Sequence, residues 1–330
     1  MHLSTKSLLF SGVCGLLLAS CAGEHSANEK YYLVTVNLKV PYWQSAEAGM
    51  RRAAAEMGVQ AEMAGPDGYD PKAELEEFRR IVTLKPAGIL VSPADPVLMT
   101  PDIDAAVDAG IPVITIDSDA PFSKRLIFIG TNNYEAGEMG GQRVAKLLGD
   151  KGNVIVFTMP GQANLDERLH GYEAAFQQHP GIKIVQVVDI QGKAQVAFDQ
   201  AASILDKDPK KVDAFVCLEA IAGPEVANVV DRAKLSKIIV AMDADPATLE
   251  WIQKGVIAAT VAQKPYTMGF TGVKMLDDLH HHPLSRLGVN WAEDPFARIA
   301  RSMDTGVTVI DKGSVDLFMK ARESATSGKT

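Results

Sequence analysis

YYLVTVNLKVPYWQSAEAGMRRAAAEMG, residues 31–58, decides the fold. Tyr31 to Leu38 alternates and is rich in β-branched and aromatic residues, which predicts a strand. Lys39, Val40 and Pro41 follow, then two adjacent aromatics, Tyr42 and Trp43. Ala46, Met50, Ala53, Ala54 and Met57 recur at helical spacing, and Gly58 closes that helix. A strand ends, two large aromatics stand at its carboxyl end and a helix leaves; in open α/β sheets ligands bind at that end. The aromatics have two readings: a cap on the core and helix start, or an apolar wall for a ligand with a flat apolar face.

Outward from this unit, apolar strands keep alternating with amphipathic helices. Ala87 to Val91 and Ile111 to Ile116 are continuous apolar runs, as in buried parallel strands, and Asp117 stands at the end of the second. Gly130 to Asn133 is polar and turn-like, and the first crossing between domains is placed there. Further strands are expected at 153–157, 182–188, 213–218, 237–242, 256–262 and 306–310, with helices between them. Asp243 and Gln263 each follow a strand. Residues 280–296 are expected as loop, and the tail after Met319 as disordered. The fold class is α/β: two doubly wound parallel-sheet lobes joined by a three-segment hinge. One lobe comprises 31–131 plus 264–304, the other 132–263 plus 305–330, with crossings near Thr131, Gln263 and Thr305.

The chain has 330 residues, enough for two domains, and a formal charge of −8, which argues against nucleic acid. No C-x-x-C pair and no zinc spacing occurs, so no metal and no cofactor is expected. Lys6 and the apolar run Leu8 to Ala19 form a leader too short to span a bilayer. It ends in Leu18-Ala19-Ser20-Cys21, which resembles a bacterial lipobox. Residues 1–20 are then a lipoprotein signal peptide, Cys21 the lipidated first residue, and 21–30 a polar tether. An ordinary signal peptide containing Cys is the other reading. Cys217, in an apolar run, is expected as a buried strand residue.

Taken together, the strand-end residues resemble those of the type I periplasmic sugar-binding proteins, the ribose-binding-protein-like group that shares its core with lac-repressor-type regulators. The matching pieces are Pro41-Tyr42-Trp43, Ile111 to Asp117, Asp166-Glu-Arg168-Leu-His-Gly171-Tyr172, Ala241-Met-Asp243 and Ile257 to Gln263. The resemblance covers roughly Tyr31 to Met319. It implies that Tyr42 and Trp43 wall a sugar and that Asp117 and Asp243 accept its hydroxyls from opposite lobes. It also implies that Gln263 contacts the ligand at the hinge. Carboxylates and amides suit that task, since vicinal hydroxyls offer paired donors and acceptors. Asp166 and Glu219 fall where ribose binders place an Arg and an Asn, so the sugar is not expected to be ribose held in the usual way. Both acids could instead cap helices, or face Lys39 or a cationic ligand. Arg168 is either a ligand contact or a structural ion pair.

His280-His281-His282 is expected as a solvated helix end, because three consecutive residues cannot share a helical face. Ser327 to Thr330 echoes a phosphate loop, but no helix follows. The resemblance implies a membrane-anchored periplasmic or cell-surface lipoprotein. It would capture a monosaccharide or small sugar derivative and deliver it to the permease of an ABC transporter. A sensory or chemotactic ligand presenter using the same cleft is the alternative. An enzyme is not expected, since only hydrogen-bonding groups gather at the strand ends.

Overall fold

The computed structural model describes residues 25–284 and 294–326. The leader with Cys21, Trp291 and residues 327–330 lie outside the described residues. Two six-stranded sheets carry the chain. The first is built from β1 (Lys30–Val34), α1 (Pro41–Met57), β2 (Gln60–Ala64), α2 (Pro71–Thr83), β3 (Gly88–Val91), α3 (Pro96–Asp108), β4 (Val113–Ile116) and β5 (Ile127–Gly130). The chain then runs through α4 (Asn133–Leu148), β6 (Lys151–Thr158), α5 (Ala163–Gln177), β7 (Gly181–Asp189), α6 (Ala194–Lys207), β8 (Ala214–Cys217), α7 (Ala222–Arg232), β9 (Ile238–Met242), α8 (Pro246–Lys254) and β10 (Ala259–Ala262). It ends with α9 (Pro265–His281), β11 (Ser302–Asp304), β12 (Thr308–Asp311) and α10 (Val315–Thr326).

Strand order is β11-β5-β4-β3-β1-β2 in one sheet and β12-β10-β9-β8-β6-β7 in the other. The pairs are parallel except β10 with β12. Each sheet separates two apolar clusters, one per face, so its central strands are buried on both sides. In both lobes one pair of helices packs with backbones in contact, α1 on α9 and α4 on α5. A Cβ at Gly49 would stand 2.0 Å from the Tyr266 carbonyl oxygen, and one at Gly171 would stand 2.1 Å from that of Tyr134. Only glycine allows either approach. The Arg168-x-x-Gly171 spacing thus has a packing reason: Gly171 brings α5 close enough for Arg168 to reach across to Asn133.

Four sequence expectations need correction. The first strand stops at Val34, not Leu38. The Asn37 side chain accepts the Lys39 N–H, and its carbonyl accepts that of Val40, so a local turn overrides the alternation. The chain past Met319 is helical to Thr326, because Phe318 and Met319 pack on the second core and Arg322 donates to the Ala244 carbonyl. A short strand, β11, lies at Ser302–Asp304, ahead of the one late strand that was expected. Finally, residues 25–29 are docked rather than a free tether. Gln60 Nε2 donates to the Ala27 carbonyl, and His281, expected in solvent, contacts Glu29 at 3.1 Å.

Candidate functional site

The carboxyl ends of the strands of both sheets converge on one cavity of about 110 Å³. Tyr42 and Trp43 sit in the first turn of α1, rather than at the strand end itself. Their rings meet edge to face at 5.0 Å and are buried in the first-lobe core while lining the cavity. The pair is thus part of the core and also borders the cavity.

Asp117 follows β4 with φ +62, and Asp243 follows β9 with φ +67. Asp is among the few residues that tolerate this left-handed backbone. The Tyr42 hydroxyl donates to Asp117 Oδ1 at 2.8 Å. Gln263, directly after β10, donates its Nε2 to Asp243 at 3.2 Å, and its buried Oε1 has no partner among the described residues. A side-chain hydrogen bond from Gln263 also favours the Asp117 carboxylate.

Arg168 is 3 % exposed. Its Nε donates to Asn133 Oδ1 and its Nη1 to the Leu218 carbonyl, both at 2.8 Å, so second-lobe acceptors fix the guanidinium. Its Nη2 is buried with no partner among the described residues. Such a donor is costly unless something occupies the cavity it lines. Glu219 lines the cavity and accepts the Ile221 N–H at 2.8 Å, bracing the turn into α7 without capping that helix.

Burial dominates the electrostatics. It pushes Asp117 above the usual carboxylate range and Glu219 and Asp243 up to about 7 each, while the Arg168 charge pulls all three down. Three carboxyl groups, one fixed guanidinium, a phenol and a carboxamide thus surround a space walled by aromatics. This arrangement can hold a small polyhydroxylated ring: an apolar face lies on the aromatics, and hydroxyls donate to the carboxylates.

Asp166 does not line this cavity. Its carboxylate accepts the Gly161 N–H at 3.1 Å and braces the turn before α5. Lys39 pairs with Asp67 at 3.0 Å in solvent, so it faces neither Asp166 nor Glu219. Residues the sequence reading passed over complete the rim. Gln162 donates to the Tyr69 hydroxyl at 2.8 Å and to the Ala94 carbonyl at 3.0 Å, joining the two lobes across the mouth. Glu74 is fully buried and accepts the Ala94 N–H, holding the same loop from behind. Polar loop residues carry no periodicity, and Glu74 stood among the polar positions of α2. A larger hollow of about 440 Å³ opens on the far side of Tyr42, Asp243 and Gln263, towards α10. Asp117 and Arg168 do not reach it.

The sequence profile of a periplasmic binding protein domain matches residues 31–281. The D-allose-binding periplasmic protein of Escherichia coli (strain K12) is 28% identical over 282 residues, covering 82% of this chain and 89% of that protein. The solved structure of AraP, an arabinose binding protein from Geobacillus stearothermophilus, is similar with a TM-score of 0.76 and 34% identity, covering 88% of this chain and 99% of that one. GanP, a glucose-galactose binding protein from the same organism, gives a TM-score of 0.78 and 32% identity, covering 87% and 99%.

Proposed function

The chain belongs to the periplasmic binding protein domain family, and from that premise we propose that it is an extracytoplasmic receptor that captures a monosaccharide between its lobes. It then delivers the sugar to the permease of an ABC importer. The observation that carries this reading is the convergence of Tyr42, Trp43 and Asp117 with Arg168, Glu219, Asp243 and Gln263 on one small cavity. The relatives' names supply the ligand class: allose, arabinose and glucose-galactose. Cavity size favours one sugar ring over an oligosaccharide. The division of labour is binding without catalysis: the carboxyl groups accept hydroxyls, and Arg168 Nη2 donates to a ring or hydroxyl oxygen.

Three segments cross between lobes, near Thr131, Gln263 and Thr305, and they act as the hinge. The Leu-Ala-Ser-Cys sequence at 18–21 makes Cys21 the acylated anchor, with lipoprotein maturation supplying the two lipid signals that stable attachment needs. Thermal unfolding against a panel of monosaccharides tests the binding role. A ligand at 1,000 times its dissociation constant adds about 4 kcal/mol to stability. A panel in which no sugar raises the midpoint would remove the reading. Cys21→Ser should leave the protein unprocessed or released from the membrane fraction, and normal retention and processing would exclude the anchor.

A further inference from the structure

We propose that His25, Glu29, Asp277 and His281 form a binding site for a divalent transition ion of the zinc class, at the end of the first lobe away from the sugar cavity. One imidazole or carboxylate atom from each of the four lies within 4.8 Å of the other three. The site joins two i, i+4 pairs. His25 and Glu29 come from the segment before β1, and Asp277 and His281 from one face of α9, in its last turns. His281 enters through its i, i+4 spacing from Asp277, not through the His280–His282 run.

Three of the separations match a metal's coordination shell. His25 Nδ1 lies 3.3 Å from Asp277 Oδ1, His281 Nε2 lies 3.1 Å from Glu29 Oε2, and His281 Nε2 lies 3.7 Å from Asp277 Oδ1. Ligands about 2.0–2.1 Å from a tetrahedral zinc stand about 3.4 Å apart. Two imidazoles with two carboxylates suit zinc and its neighbours better than calcium or magnesium, which prefer all-oxygen shells.

A second observation points to a ligand. His25 Nδ1 is buried and makes no hydrogen bond among the described residues, although it faces Asp277 at ion-pair distance. The imidazole is 29% exposed, yet this nitrogen is turned inward to the carboxylate, as a ligand atom would be. The supporting shell is also built. The fully buried Tyr31 donates its hydroxyl to Asp277 Oδ1 at 3.0 Å, which orients that carboxylate as outer groups orient metal ligands.

The ion would clamp residues 25–29 onto α9. His25 is four positions after Cys21, so on the lipoprotein reading the clamp fixes how the first lobe hangs from the membrane. That consequence rests on the Cys21 anchor; the metal site does not.

The test strips the purified full chain with chelator and titrates it with zinc chloride at neutral pH. One equivalent should bind, and X-ray absorption should show two nitrogen and two oxygen ligands. His25→Ala and His281→Ala should each abolish the saturable site, while Tyr31→Phe should weaken it roughly tenfold. The His280→Ala/His282→Ala double variant should bind as the parent does. His25 lies in an edge segment, so its loss leaves the fold and sugar binding intact, which circular dichroism and the sugar titration would verify. The proposal is overturned if no saturable zinc binds. Binding that survives His25→Ala or vanishes in the double variant would also overturn it, as would a titration in which the four residues take up protons only.

Discussion

Asp117 and Asp243 occupy equivalent places in the two lobes. Each directly follows a central strand, each holds a left-handed backbone (φ +62 and +67), and each donates its N–H to a carbonyl of the next strand, Ile129 and Val261. Two α/β halves have therefore put the same acid at the same turn, and closing them face to face brings both to one cavity. The backbone also selects the substitution that tests it. Alanine at a left-handed position adds strain of about 1–2 kcal/mol, whereas asparagine tolerates it. Asp117→Asn and Asp243→Asn should keep the fold and weaken sugar binding about ten- to a hundredfold each, from the loss of a charged acceptor worth about 1.5–3 kcal/mol. Calorimetric titration reads this directly, and an unchanged affinity removes that residue from the site.

Proton release should accompany binding. Burial raises Glu219 and Asp243 to about 7 in the cleft. Hydroxyl donors favour the ionised form, so a bound sugar lowers both values. Affinity should then rise between roughly pH 5.5 and 8 and level off above that. Binding enthalpies measured in buffers of different ionisation heat would give the number of protons. Proton uptake, or none, would mean that the carboxyl groups donate or stand aside.

Glu74 offers a stability test away from the ligand. It is fully buried, its Oε1 has no partner among the described residues, and burial raises it to about 8. In the unfolded chain a glutamate titrates near about 4.3. The folded protein thus holds a proton that the unfolded chain has lost. The stability this group contributes is complete below about pH 4 and declines as pH rises through about 8, by a few kcal/mol in all. Glu74→Gln keeps the acceptor for Ala94 and removes the titration. Relative to the parent, the variant should gain stability in denaturant at pH 8–9 and gain little or nothing near pH 4. A constant difference across that range would show that the side chain is already paired in its charged form.

What was legible in the sequence follows from period and position. The alternation of strands and helices pointed to the α/β class, and α4 does follow the turn-like stretch at 130–133, with Asn132 as its cap. Seven of the residues singled out at strand ends and helix starts line one cavity, because parallel topology puts all carboxyl ends on one edge. Asp166 escaped because sequence cannot distinguish a carboxylate that faces a cleft from one that braces Gly161 five residues back. Gln162, Tyr69 and the His25 to His281 cluster depend on contacts between segments 93 or more residues apart. No local pattern announces such contacts.

The Gln162 bridge should set how far the lobes close without ligand. Its side chain is held by Tyr69 and the Ala94 carbonyl across the cleft. Each such hydrogen bond is worth about 0.5–1.5 kcal/mol. Gln162→Ala should shift the ligand-free population towards an open form and weaken sugar binding severalfold, without altering contacts to Asp117 or Asp243. Small-angle scattering of the ligand-free variant should give a larger radius of gyration than the parent. Equal radii would show that the bridge follows closure and does not stabilise it.

Trp43 should report closure itself. It is 6 % exposed and packs edge to face on Tyr42, whose hydroxyl holds Asp117. A sugar seated on Asp117 therefore lies against this aromatic pair, and the second lobe covers it. The chain has only three tryptophans. Trp251 is in α8 beneath Lys254, whose ammonium sits 4.3 Å from its ring centroid, and it does not line the cavity; Trp291 lies outside the described residues. Adding the cognate sugar should change tryptophan emission, and Trp43→Phe should remove most of that change while retaining measurable affinity. Trp43→Ala should cost more, because it removes both the wall of the cavity and part of the first-lobe core, where large-to-small changes typically cost about 3–5 kcal/mol. The two variants thus separate signal from stability. If a tight sugar is found and scattering shows no compaction while emission is also unchanged, the lobes do not close on that sugar. The Tyr42–Trp43 pair is then a piece of core that happens to border the cavity.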